Sequence, residues 1–272
     1  MKAIFKMIID WLSFILNSKN ITSEPVLVDN GDKDEQETID IVEPVEDPEE
    51  EPVSEPEIKK EEYKNMVIIL DNGHAKSTPG KRSPVLPDGS QFFEYEFSRD
   101  IVRRIAEKLD VLGIQYRIIV PEVNEDIGLS KRAARANAIC DEFGAGNCFF
   151  ISIHANAAGN GTAWMNARGW SIYTTKGNTN SDKYATIVFE EANKMLPNFN
   201  ISLRRDMTDG DPDYEENFTV IYKTKCPAVL TENLFMDNLS DVRFLMSDEG
   251  RDIIAQLHVN AIKRICKADQ QK

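Results

Sequence analysis

Histidine and cysteine are both scarce in this 272-residue chain, which has three histidines and four cysteines. No two cysteines form a C-x-x-C pair, which argues against thiolate metal ligands and against a disulfide framework. Cys148 and Cys226 lie in or beside apolar runs. Because a free cysteine packs as a small apolar side chain, we expect a buried free thiol at each of the four positions, which are Cys140, Cys148, Cys226 and Cys266.

An excess of basic residues is also missing, since the formal net charge is -14. The acidity is local: residues 24–62 hold 17 acidic residues and three lysines, and the rest of the chain holds 29 residues of each sign. Nucleic-acid-binding proteins usually present a basic face that neutralises phosphates. We therefore expect no nucleic-acid partner.

The amino-terminal segment lacks the roughly 20 apolar residues that a membrane-spanning helix needs. In residues 1–20, polar side chains recur every three or four positions and predict an amphipathic helix (Lys2, Lys6, Asp10, Ser13 and Asn17). Asp10 interrupts the apolar core expected of a secretory signal. A helix that binds a membrane surface or a partner fits this pattern best, with an atypical export signal or a helix packed on the domain as alternatives.

Residues 21–63 form a predicted linker. Pro44, Pro48, Pro52 and Pro56 fall every fourth residue among glutamates and aspartates. Proline disfavours helix and like charges repel one another, so we expect a disordered acidic spacer.

Residues 64–268 alternate strand and helix patterns, which predicts a single three-layer α/β domain. We expect a mostly parallel twisted sheet with helices on both faces. The predicted strands cover residues 66–70, 114–120, 148–153, 170–174 and 228–231. The predicted helices cover residues 97–112, 129–140 and 181–196, with a last helix capped by Ser247.

Two histidines follow apolar strands, and this feature points to a metal site. His74 ends the run Val67-Ile68-Ile69-Leu70-Asp71-Asn72-Gly73-His74, and His154 follows Phe149-Phe150-Ile151-Ser152-Ile153. In an open α/β sheet, ligands collect at the carboxyl ends of the strands. A catalytic zinc usually needs a third protein ligand, and Glu94 and Glu96 both stand at the start of the next helix.

Glu232 ends a later apolar strand, where a carboxylate is costly unless it is paired, metal-bound or functional. Two histidines, a glutamate ligand and a second glutamate suit metal-assisted hydrolysis, in which the free carboxylate moves the proton. A histidine among apolar residues is more often a core residue, and His258 in the last helix is interpreted in that way.

These segments together resemble the zinc-dependent N-acetylmuramoyl-L-alanine amidases, from about residue 66 to 265. The resemblance rests on Asp71-Asn72-Gly73-His74, Glu94, Ser152-Ile153-His154-Ala155-Asn156 and Pro227-Ala228-Val229-Leu230-Thr231-Glu232. It implies that His74, Glu94 and His154 bind zinc, with Glu94 preferred over Glu96, and that Glu232 is the catalytic acid and base. The implied reaction is hydrolysis of the amide bond between N-acetylmuramic acid and L-alanine in peptidoglycan.

The chain departs from the family at several positions. Asn72 stands where the family usually has proline, and Asn233-Leu234-Phe235 replaces a glycine followed by an aromatic residue. Residues 204–213 are expected to form an added, solvated surface loop. We expect Asn156 to orient the substrate, and Arg204 or Arg205 to hold an acidic stem peptide.

Other functions stay open on the residues alone. A zinc peptidase acting within the stem peptide would use a similar centre. A peptidoglycan-binding module could keep the fold without hydrolysis, and a membrane-tethered adaptor could act through its acidic segment. For the amidase we expect a monomer in the cell envelope, periplasmic or extracellular, or held in the cytoplasm until phage-type lysis.

Overall fold

The computed structural model describes Tyr63 and residues 65–268. The predicted amino-terminal helix and acidic linker lie outside the described residues, apart from Tyr63. The described chain has six strands and six α-helices, in the order β1 (Val67–Asp71), α1 (Glu94–Leu112), β2 (Tyr116–Ile118), α2 (Leu129–Phe143), β3 (Cys148–Asn156), β4 (Ser171–Thr174), α3 (Asn180–Met195), β5 (Tyr214–Glu215), α4 (Thr219–Tyr222), β6 (Ala228–Phe235), α5 (Leu239–Met246) and α6 (Asp248–Ala268).

The strands form one sheet in the order β2-β1-β3-β6-β4-β5. The pairs β1–β2, β1–β3, β3–β6 and β4–β5 are parallel, and β4 runs antiparallel to β6. The prediction of a mostly parallel sheet is therefore confirmed. Because β1, β3 and β6 are adjacent and parallel, their carboxyl ends meet at one edge.

Helices cover both faces of the sheet, as predicted. Ile68 and Leu70 of β1 pack with α1, α3 and α6 on one face. Val67 and Ile69, which alternate with them, pack with α2 and α4 on the other face. The central strands are thus buried on both sides, which explains why their sequences are continuous apolar runs. All four cysteines are buried and free, as predicted.

Helix ends follow the expected signals. Gly113 ends α1 in a left-handed conformation with φ 69°, which glycine adopts without steric cost. The Ser247 hydroxyl accepts the Gly250 N–H at the start of α6. The sequence pattern missed β5, α4 and α5, which have two, four and eight residues. It also ended β6 too early, because Glu232 and Asn233 were interpreted as the strand end.

The expectation of a solvated loop over residues 204–213 is wrong at its carboxyl end. Asp213 is only 1% exposed, and its Oδ2 accepts a hydrogen bond from Thr174 Oγ1 at 2.5 Å. Burial raises the pKa of Asp213 to about 8.

In the described part of the chain, no helix combines the length and apolar character needed to cross a membrane.

Candidate active site

Three side chains from separate elements converge at the carboxyl edge of the sheet. His74 lies in the loop after β1, Glu94 is the first residue of α1, and His154 is in β3. One ligand atom from each lies within 4.8 Å of the other two. His154 Nδ1 is 2.9 Å from Glu94 Oε1, and His74 Nε2 is 3.4 Å from Glu94 Oε2. The structure therefore brings the three predicted ligands together.

Backbone geometry permits this approach. A Cβ atom on Gly73 would lie 2.5 Å from Cε1 of His154, so only glycine leaves room for the imidazole. His74 itself has φ 47°, in the left-handed region that non-glycine residues rarely adopt. Nη1 of Arg99 donates to the His74 carbonyl oxygen at 2.8 Å and holds this turn from helix α1.

The charges within the cluster favour an ionised Glu94. Burial by itself would raise the pKa of Glu94, but the neighbouring imidazoles of His154 and then His74 outweigh it, so the pKa falls well below its usual range. Burial lowers the pKa of His74. For His154, burial is outweighed by the hydrogen bond with Glu94, and its pKa is raised.

This donor set fits a divalent metal ion such as zinc. Glu94 is 1% exposed, and its Oε2 atom is buried without a hydrogen-bond partner in the described structure. An anionic oxygen in that position is costly unless a cation neutralises it. Two imidazoles and one carboxylate are a common ligand set for catalytic zinc. The competing Glu96 is exposed and accepts the Tyr95 hydroxyl at 2.7 Å, away from the cluster.

A buried polar chain holds the ring of His154. Ser152 Oγ lies 3.1 Å from His154 Nε2 and donates to Asp71 Oδ2 at 2.6 Å. Because the serine hydrogen is committed to Asp71, Nε2 of His154 is the donor to serine. With the Nε2 hydrogen given to Ser152, Nδ1 is the nitrogen that would coordinate a metal ion, in place of the proton it shares with Glu94 Oε1. Arg132, 2% exposed, neutralises Asp71 from 3.4 Å.

Glu232 lies on β6, directly opposite His154 on β3 in the parallel register. Its Oε2 atom is buried and has no hydrogen-bond partner among the described residues. Burial raises the pKa of Glu232 to about 7. The carboxylate thus lies beside the three predicted ligands and is not hydrogen-bonded to them.

A β-bulge fixes this end of β6. Asn156 pairs with Phe235, so two residues of β6 stand opposite one residue of β3 between the two paired positions. Asn233 Nδ2 donates to the His154 carbonyl oxygen at 2.9 Å, and Asn233 Oδ1 accepts the indole N–H of Trp170 at 2.8 Å. The residue at a family departure therefore joins the two strands that carry the site.

The three residues predicted to contact the substrate have different surroundings in the structure. Asn156 Oδ1 accepts the Ala157 N–H at 2.8 Å, so its NH2 group and the second lone pair of its oxygen remain for a substrate contact. The guanidinium of Arg204 lies over the ring of Phe235, with 5.0 Å from Cζ to the centroid, and its backbone N–H bonds to Trp170. Arg205 is exposed. Of the two arginines, Arg204 lies at the end of β6 that bears Glu232.

Comparison with known proteins identifies the family of this chain. The sequence profile of the N-acetylmuramoyl-L-alanine amidase family matches residues 68–264. The chain belongs to this amidase family. It is 26% identical over 205 residues to the endolysin of Bacillus phage SPP1, which covers 74% of this chain and 66% of the endolysin. It is 28% identical over 198 residues to the N-acetylmuramoyl-L-alanine amidase CwlM of Bacillus licheniformis, covering 72% of this chain and 67% of CwlM.

A solved structure of the family shares the fold. The amidase Ami1 of Mycobacterium smegmatis superposes with a TM-score of 0.59 at 20% identity, covering 76% of this chain and 100% of that chain. The family match contains His74, Glu94, His154 and Glu232. Sequence analysis missed the roles of Ser152, Asp71 and Arg132. The two-residue spacing of Ser152 and His154 on one strand face was the signal that could have found the first of these.

Proposed function

We propose that this protein is a zinc-dependent N-acetylmuramoyl-L-alanine amidase that cleaves the amide bond between N-acetylmuramic acid and L-alanine in peptidoglycan. The observation that carries the proposal is the cluster of His74, Glu94 and His154, with Glu232 opposite His154 on the adjacent strand. Membership of the amidase family supports the choice of bond.

The residues of the cluster have separate roles in this proposal. His74, Glu94 and His154 would hold the zinc ion. When bound, zinc supplies Lewis acidity that polarises the scissile carbonyl and acidifies a water molecule. Ser152 and Asp71 keep the His154 ring in the tautomer that leaves Nδ1 free for the metal.

Glu232 performs the proton transfers. Its carboxylate accepts a proton from the water molecule whose oxygen adds to the lactyl carbonyl carbon. As the C–N bond breaks, the same carboxyl gives that proton to the leaving α-amine of L-alanine. The products are a muramic acid carboxylate and a free peptide. Its place beside the cluster, with one carboxylate oxygen unpartnered, supports this role.

The same proposal places the protein at the cell wall, either as an envelope enzyme or as a lysin released from the cytoplasm. Relatives that bear the names endolysin and sporulation-specific amidase cover both settings. A monomer suffices for this proposal because all four residues come from one chain.

Digestion of purified peptidoglycan tests the reaction. The full chain is loaded with zinc, and the soluble products are analysed by mass spectrometry with and without EDTA. We expect free stem peptides with a new L-alanine amino terminus, lost on chelation. A Lys183→Gln variant, altered at an exposed lysine of α3 outside the candidate site, should release the same peptides as the wild-type chain.

The other outcomes separate the alternatives. Shortened peptides with L-alanine still attached to the glycan would identify a peptidase acting within the stem. Undigested wall in the presence of tightly bound zinc would favour a binding module. Either result would contradict the amidase proposal.

A further inference from the structure

A cavity lies beside the three predicted metal ligands, and we call it the basic cavity. It has a volume of about 300 Å³ and is lined by the loop of residues 76–82 together with Phe93 and Tyr95. None of these residues has a role in the chemistry proposed above. The inference drawn from this cavity rests on the proposed amidase function and concerns which substrates that function accepts.

The cavity adjoins the candidate metal centre at Glu94. Phe93 and Tyr95 flank Glu94 in the chain. The Glu94 N–H donates to the Lys81 carbonyl oxygen at 3.0 Å, and Lys81 Nζ lies 3.9 Å from Glu94 Oε2. Arg82 and Phe93 form an antiparallel β-bridge. A ligand group in the cavity would therefore lie near the scissile amide bond of a substrate bound at the candidate metal centre.

The charge of the cavity is of one sign. Lys76, Lys81 and Arg82 line it, and no acidic residue does. Among the described residues, Lys76 and Arg82 have no carboxylate within 4.0 Å, and Lys81 reaches Glu94 only at the edge of that distance. The nearby Glu96 carboxylate accepts the Tyr95 hydroxyl. Asp126 accepts the hydroxyl of the lining residue Thr78 at 2.7 Å, but its other oxygen is paired with Arg132 at 3.0 Å. The lining itself thus offers cationic donors and no carboxylate.

The apolar part of the lining comes from two aromatic rings. Phe93 and Tyr95 are half-buried, and their ring centroids are 6.1 Å apart. Rings of this kind suit the aliphatic part of a peptide, while lysine and arginine suit its carboxylate. A phosphodiester polymer would use the cations but would gain little from the rings.

We infer that the basic cavity binds a free carboxylate of the stem peptide, on the peptide side of the scissile amide. The carboxylate lies among Lys76, Lys81 and Arg82, and the adjoining aliphatic carbons pack on Phe93 and Tyr95. The protein is accordingly selective for stem peptides whose residue after L-alanine keeps a free carboxylate.

Two soluble substrates test this selectivity in the zinc-loaded full chain. Both are N-acetylmuramoyl dipeptides, identical except that the residue after L-alanine carries a free carboxylate in one and a carboxamide in the other. We expect kcat/KM to be about tenfold higher for the carboxylate, the size typical of charge-assisted hydrogen bonds at a half-exposed site. Peptide release is followed by mass spectrometry.

A double variant, Lys76→Gln with Arg82→Gln, removes two of the cations without touching the metal ligands. It should bring the ratio of the two kcat/KM values close to one. Lys183→Gln makes a change of the same kind on helix α3, far along the chain, and should leave the wild-type ratio in place. This control separates a local site from a general effect of net charge.

Several outcomes would overturn the inference. These are a wild-type ratio near one, an unchanged ratio in the double variant, or an equal drop in Lys183→Gln. Inhibition by poly(glycerol phosphate) with no carboxylate preference would assign the cavity to a wall polymer instead. Failure to release peptide from either substrate would contradict the proposed amidase function, so the two failures are distinguishable.

Discussion

At the scale of single residues, the site depends on how each imidazole is held. His154 is fixed through its side chain by Ser152 and Asp71. His74 is fixed through its backbone, because Arg99 binds the carbonyl oxygen of a left-handed residue. Both arrangements rest on hydrogen bonds from residues that are not themselves proposed metal ligands.

Replacing Ser152 by alanine should weaken zinc binding. The variant removes the acceptor of the Nε2 hydrogen of His154 and frees the other tautomer. We expect the zinc Kd to rise about tenfold or more, as for other residues that orient a metal-binding histidine. Competition with a chromophoric chelator measures this without any assay of activity. The Ser152→Thr variant keeps the hydroxyl and should bind zinc more tightly than the Ser152→Ala variant. Equal zinc affinities of the two variants would contradict the role of the Ser152 hydroxyl.

Replacing Gly73 by alanine should displace His154. The new Cβ atom would lie 2.5 Å from the imidazole, which is closer than nonbonded atoms approach. We expect lower zinc affinity and at least a tenfold loss of amidase turnover, because small misplacements of catalytic groups are costly. Gly146→Ala is the matched control, since a Cβ atom there meets nothing within 4 Å. Unchanged zinc affinity in Gly73→Ala would contradict this steric argument.

At the scale of elements, the end of β6 combines a bulge with backbone strain. Leu234 has φ 68°, a left-handed conformation that glycine adopts without the steric cost that leucine incurs. Its side chain is fully buried in the core. The apolar burial of Leu234 therefore offsets a backbone conformation that costs about 1–2 kcal/mol in a non-glycine residue.

Two substitutions at Leu234 separate burial from strain. Alanine and glycine both lose the buried side chain, but only glycine relieves the left-handed conformation. We expect both variants to be destabilised, with Leu234→Gly about 1 kcal/mol more stable than Leu234→Ala. Urea unfolding measures the difference. In regular strands the alanine variant is usually the more stable of the two. If Leu234→Ala were more stable than Leu234→Gly here as well, backbone strain at Leu234 would be contradicted.

Helix α6 and strand β6 meet at His258, which is fully buried. Nδ1 donates to the Ile254 carbonyl oxygen at 2.7 Å, and Nε2 lies 3.1 Å from Thr231 Oγ1. Burial lowers the pKa of His258 from its ordinary value of 6.5 to about 4. Between these two values the unfolded chain binds more protons than the folded chain, so stability rises with pH across that range.

Removing this titration should flatten the pH dependence of stability. Between pH 5 and 7, His258 accounts for about 2 kcal/mol of the change in the free energy of unfolding. In His258→Gln we expect that part of the slope to vanish. Urea unfolding at both pH values measures this change in the free energy of unfolding. The contributions of the two remaining histidines are the same in both proteins and cancel when the variant is compared with wild type. The same slope in both proteins would contradict a low pKa at His258.

At the scale of the whole molecule, the α/β alternation and the converging ligands could be predicted from the sequence. The apolar runs of β1 and β3 mark strands buried on both faces, and a parallel sheet brings their carboxyl ends together. The antiparallel β4 could not be predicted, because nothing in its four residues specifies direction. The bulge at Leu234 and the burial of Asp213 also depend on contacts between segments far apart in the chain.

The residues of the candidate site also divide into those that the sequence suggests and those that only the fold reveals. His74, Glu94 and His154 stand at strand and helix ends, where position alone suggests a ligand. Ser152 and Arg132 look like ordinary strand and helix residues until the fold brings them to His154 and Asp71.

The measurement that tests the central claim most directly compares bound zinc and turnover in two isosteric variants of the full chain. Glu232→Gln should keep one zinc ion per chain and lose turnover by about 10²- to 10⁴-fold, because it removes only the proton-transfer group. Glu94→Gln should lose the zinc ion together with the activity. Wild-type turnover in Glu232→Gln, or normal zinc content in Glu94→Gln, would contradict the assignment of these two carboxylates.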